Sequence, residues 1–139
     1  MSFEALSLKA NGDIRPSRFV KLDTSEDFAA LEADANEAVI GISGVGTQSA
    51  PLPGVTALAA SDELFLRYHG EGQMAMLEIG SGGITRGAAL KSDADGKGVA
   101  AATTGTTKQH QGAIALESAA AGEIARVLVK IDSYFPALS

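Results

Sequence analysis

Gly12 to Asp23 reads GDIRPSRFVKLD and Gly82 to Asp93 reads GGITRGAALKSD, so Gly, Ile, Lys and Asp recur at matching places in two distant stretches of one chain. Four identities in twelve positions make an internal echo. Downstream of each stretch comes an apolar run, AVIGIS at Ala38 to Ser43 and GAIALE at Gly112 to Glu117. Then follow DELFLRY at Asp62 to Tyr68 and GEIARVLV at Gly122 to Val129. Elements that return in one order imply two similar supersecondary units closing on one core.

The echo arbitrates an ambiguous segment. Thr24 to Ala35 (TSEDFAALEADA) has a helix-capping start and a turn-spaced pair, Phe28 and Leu31. Its counterpart in the second stretch is Asp93-Ala94-Asp95-Gly96. Asp-Gly between β-type sequences is a hairpin signal, so Phe28 to Glu32 is expected to be a strand. Elsewhere period-two alternation is direct. In Ala125 to Ile131 it turns Val127, Val129 and Ile131 toward the core. Leu64, Leu66 and Tyr68 alternate with Glu63, Phe65 and Arg67, and Met74 to Ile79 follows the turn at Gly70 to Gly72. Those two runs are expected to pair as a hairpin. The fold class is therefore all-β, a small barrel or sandwich of short antiparallel strands in two similar units.

Composition narrows the function. At 139 residues the chain fits one domain, expected over residues 12–132 with a long loop over 44–60. There is no cysteine, which excludes disulfides, thiolate metal sites and thiol nucleophiles. The net charge of -6, from 17 acidic and 11 basic residues, opposes a phosphate backbone, and with no Trp and 5% aromatics a base-stacking platform is missing too. Nucleic acid is not an expected partner. The start, Met1-Ser2-Phe3-Glu4, lacks a basic and then apolar leader, and no run approaches bilayer length, so no membrane association is expected.

Catalytic and metal motifs fail one by one. Gly41-Ile42-Ser43-Gly44-Val45 starts like a nucleophile elbow but has Val45 where a glycine is required, so Ser43 is expected to end a strand. Asp93 to Gly98 begins like a calcium loop, yet Lys97 takes a ligand position and Thr104 stands where Glu belongs; a hairpin turn is the better reading. His69 and His110 are the only histidines, short of the three ligands of a catalytic zinc, and are expected at the surface. The adjacent acids Glu26/Asp27 and Asp62/Glu63 point to opposite faces of a strand and cannot share acid–base chemistry. No enzyme, cofactor or metal is expected.

Three segments fall outside the repeated unit: an arm over residues 1–11, the loop over 44–60, and a tail over 133–139. Termini and long loops are usually polar, but these carry Phe3, Leu6, Leu8, Pro51, Leu52, Pro53, Tyr134, Phe135 and Leu138. Apolar side chains there are expected to dock on partners, with the prolines stiffening the loop.

The succession GDIRPSRFVKLD, AVIGISGVGTQSAPLP, ALKSDADGKGVAAA and QGAIALESAAAGEIARVLV resembles the head decoration, or capsid cement, proteins of tailed bacteriophages. The resemblance spans roughly Gly12 to Ile131 and rests on the order of the elements and the Ala/Gly-rich composition. It implies a small β-barrel or sandwich, assembled as a homotrimer, made in the host cytoplasm and carried on the outer capsid surface of the virion. There it would clamp neighbouring subunits of the major capsid protein. The alternative from the residues is a receptor- or glycan-binding module of a fibre or cell surface, for which few rings are available outside the chain ends. A trimeric β hydrolase is disfavoured by the motif failures.

Overall fold

A computed structural model describes residues 6–12, 14–44 and 65–137. Among these residues the regular elements are ten strands: β1 (Leu6–Ala10), β2 (Phe19–Leu22), β3 (Ala29–Glu32), β4 (Gly41–Ser43), β5 (Phe65–His69), β6 (Met74–Glu78), β7 (Ala89–Ser92), β8 (Gly98–Ala100), β9 (Gln109–Ala115) and β10 (Ile124–Tyr134). The all-β reading holds. Phe28 to Glu32 is a strand from Ala29 onward, and Ser43 ends β4.

The echo is topological. The first five strands form a closed ring in the order β1-β3-β2-β4-β5, and the second five form a sheet in the order β6-β10-β9-β7-β8. With β1 matched to β6, β2 to β7 and so on, the two orders are the same: β3-β2-β4-β5-β1 and β8-β7-β9-β10-β6. The first ring is closed by parallel pairing of Lys9 with Ala29 and Ala10 with Ala30. At the same place the second unit has a single parallel bridge, Ile79 to Gly98. By strand register Ile42, not Ile40, is the counterpart of Ile114, since Ile42 faces Phe19 as Ile114 faces Ala89.

The echoed residues mark the turns that make this topology. Asp23 and Asp93 each directly follow a strand and cap the turn after it. Asp23 Oδ1 accepts from Ser25 N at 2.8 Å, and Asp93 Oδ1 accepts from Asp95 N at 2.8 Å and Lys97 N at 2.9 Å. That carboxylate oxygen serves the hairpin joining β7 to β8. Before each strand the chain passes through positive φ, at Ser17 (57°) in the first unit and Gly87 (84°) in the second.

The two units share one core. Its cluster combines Phe19, Ala33, Val39 and Ile42 from the first unit with Leu77, Ile79, Leu90, Val127, Val129 and smaller residues from the second. Phe19 is wholly buried and fills space left by Gly112, where a Cβ would stand 2.5 Å from Phe19 Cε1. The first ring has a smaller cluster of its own, Ala10, Ile14, Val20 and Ala30, with Leu8, Ile40 and Tyr68 packed on it. Between the units lies an ion network around buried Arg18. Its Nη1 donates to Asp95 O at 2.8 Å, and its Nη2 to Glu78 Oε2 at 3.2 Å. Lys97 also pairs with Glu78, and Arg15 pairs with Glu32.

Three expectations are corrected. β5 and β6 do not pair: β5 lies between β1 and β4, and β6 pairs with β10. The reason is in the connection, where Gly72 N donates to Val129 O and Val129 N to Gln73 O, so the chain joins β10 instead of doubling back. Ile131 does not face the core. The register shifts between Val129 and Asp132, and this bulge leaves Ile131 37% exposed. The arm expected over residues 1–11 is, from Leu6 to Ala10, a strand of the ring, bonded on both sides.

Candidate partner-binding surfaces

Of the side chains singled out from the sequence, Phe3, Pro51, Leu52, Pro53 and Leu138 lie outside the described residues. Leu6 is in β1, paired with Tyr68. Leu8, expected to be surplus, packs on the small core of the ring, because the parallel closure turns it inward. Tyr134 is half-buried at the end of β10, its hydroxyl donating to Ala102 O at 3.2 Å. The next residues fold onto the same unit: Ala137 N donates to Thr103 O and Gly105 N to Ala137 O. Phe135 stands out from the surface, 70% exposed.

The sequence reading missed the larger apolar surface. In the second sheet Ala75, Leu77, Ala113, Ala115, Ala125, Val127 and Val129 face the core. Their neighbours along each strand therefore face outward, and several are apolar. Met74 is opposite Leu128, Leu128 opposite Ile114, and Ile114 opposite Ala89, a continuous row across four strands. Met76 is opposite Arg126, with Leu116 beyond it, and Ile124 is opposite Glu78. Met74 (63%), Ile124 (51%) and Leu116 (46%) are exposed. The signal was in the sequence: in MAMLE and IARVLV both alternating sets contain apolar residues, the pattern of a sheet covered on both faces.

Charges on this face are engaged by neighbours, Glu78 by Lys97 and Lys91 by Gln109 Oε1 at 2.9 Å. Arg126 donates from its backbone N and Nε to Glu117 Oε2, and these bonds hold the Glu117 carboxyl below the usual range. A second apolar point lies in the first unit, where Phe28 is 81% exposed in the β2–β3 turn and Leu22 is half exposed. The turn is braced by Asp23, whose carboxyl is lowered by hydrogen bonds from the Asn11 side chain and from Ser25.

Of the groups weighed for catalysis, Asp62 and Glu63 lie outside the described residues, Glu26 pairs with Lys9, and Ser43 and His110 are held by hydrogen bonds. Ser43 is fully buried, its Oγ accepting from Arg18 N at 3.0 Å and donating to Arg15 O at 2.7 Å. His110 Nδ1 lies 2.9 Å from Ser133 Oγ; both histidines are half-buried and not at the open surface. Among the described residues no group of three His, Asp or Glu side chains is gathered as metal ligands.

The fold has a known counterpart. It is similar to the N base of the head fiber gp8.5 of bacteriophage phi29, with a TM-score of 0.60 at 16% identity over 90% of this chain and 92% of that one. The match spans both units. No protein-family model and no curated protein matches the sequence.

Proposed function

We propose that this protein is a non-enzymatic structural component of a phage head that decorates the outer capsid surface and stabilises the shell by clamping neighbouring major capsid subunits. The observation that carries this reading is the likeness of nearly the whole chain to the base of a phage head fiber. Chemistry supports it. An exposed apolar sheet face of this kind marks a protein contact, and an acidic surface suits the outside of a shell better than its DNA-filled interior. Cementing would combine that face with Phe135 and the apolar residues of the loop and tail. Several modest contacts on one assembled particle would add through effective concentration.

The test is to mix the pure protein with expanded empty capsids and sediment them. Saturable, stoichiometric binding that raises the shell's melting temperature is the expected result. Absence of binding to any shell, with retention on a glycan array, would overturn it in favour of a receptor- or glycan-binding module.

A further inference from the structure

The two units differ sharply at one turn. Asp23 N donates to Ala29 O, and Asp93 N donates to Lys97 O, so the residues just before these acceptors, Phe28 and Gly96, are counterparts. Both have positive φ, 55° and 77°. Gly96 suits that conformation and lies against Arg18 and Glu32. Phe28 does not suit it: a bulky L-residue in the left-handed region is an outlier that costs about 1–2 kcal/mol. Its ring is also 81% exposed. Neither positive φ nor the core requires a phenylalanine here, since the second unit closes the corresponding, shorter turn with glycine.

The backbone that carries the ring is held in place. Phe28 O accepts from Lys9 N at 2.9 Å, and Lys9 pairs with Glu26 across the tip. Asp23 ties the base of the turn to Asn11 and Ser25. An aromatic on a braced backbone, with only two side-chain torsions of its own, loses little freedom on docking, which favours its use as an anchor.

A matching recess is present in the second unit. It has a volume of about 480 Å³ and is lined by Gly83, Ile84, Ala88, Ala100, Ala119 and Ala120, side chains short enough to admit a ring. Arg86 is exposed between the lining residues Thr85 and Ala88. Among the described residues it has no carboxylate partner, and Asp27, next to Phe28, has no cation. The knob thus carries an acid without a cation and the recess a cation without an acid, the nearby Glu123 carboxylate being taken up by Ala120 N.

We infer that Phe28 of one copy seats in the Ala/Gly recess of the next copy, with Asp27 against Arg86. The contact uses different faces of the two copies, so it propagates head to tail and closes into a ring when the rotation permits. It does not depend on binding to a capsid and is read in the isolated protein.

The experiment is sedimentation equilibrium of the full chain over a wide concentration range. Wild type is expected to self-associate. Phe28→Asn, which tolerates positive φ, is expected to keep its fold and weaken association about 30-fold or more, the loss typical of an interface anchor. Asp27→Arg and Arg86→Asp should each weaken it, and the Asp27→Arg/Arg86→Asp double variant should recover most of the loss. A wild type monomeric throughout, a Phe28→Asn protein that associates like wild type, or a charge swap without recovery would overturn the inference. So would a Phe28→Asn protein unchanged in oligomeric state but unable to bind empty capsids, because the ring would then belong to a different partner.

Discussion

The first unit curls until its edges meet, whereas the second, with the same strand order, stays open and packs its inner face on residues lent by the first. Where β1 and β3 close the first ring through a two-residue ladder, the second has only the Ile79–Gly98 bridge. The first ring's own core is small, and its Phe19 points into the shared cluster. A repeated topology thus does two jobs. One copy supplies a plug; the other supplies a sheet whose inner face takes the plug and whose outer face remains apolar.

The largest expected effect comes from removing the plug. Phe19→Ala should cost about 3–5 kcal/mol, read from the urea midpoint, and unfolding should remain one cooperative step. Two separate transitions would break the comparison by making each unit stable alone. Next is the ion network between the units. Arg18→Met removes the bonds to Glu78 and Asp95 O, leaving Lys97 on the first and Arg15 on the second, and should cost about 1.5–3 kcal/mol. A cost near zero would mean that the units are held by the apolar core alone.

The echo from Gly12 and Gly82 was legible because its members do local work: Ile14 and Ile84 are buried, and Asp23 and Asp93 cap turns. Strand partners were harder to read. The β5–β6 hairpin looked obvious from Gly70 to Gly72, yet β10, far along the chain, competes for the β6 edge and wins. The same non-local pairing turned the arm into β1 and spent Leu8 on a core that no local pattern announces. At Ile131 alternation misled because a bulge resets the register. The outer face of the second sheet was passed over because only one of two apolar sets was assigned to the core.

Smaller effects sharpen the match between turns. Ser17 and Gly87 share a left-handed conformation, so Ser17→Gly should stabilise by about 0.5–1 kcal/mol and Gly87→Ser should destabilise by about as much, measured by urea midpoint. The smallest effect appears only in acid. Asp23 has its carboxyl lowered from 3.8 by the Asn11 side chain and Ser25. Its contribution is therefore present above the unfolded value and lost as pH falls through the lower folded value. Urea midpoints taken below about pH 4 should fall less steeply for Asp23→Asn than for wild type.

The division of labour between the two faces of the second sheet is tested most directly by hydroxyl-radical footprinting of the protein free and on empty capsids. Met74 and Met76 report the outer face through oxidation read by mass spectrometry. Oxidation of Met74, 63% exposed when free, should fall several-fold on the shell, with Ile124 and Leu116 protected alongside it. Stoichiometric binding with Met74 oxidised as fast as in the free protein would contradict the account, because the apolar face would then not be the surface that meets the capsid.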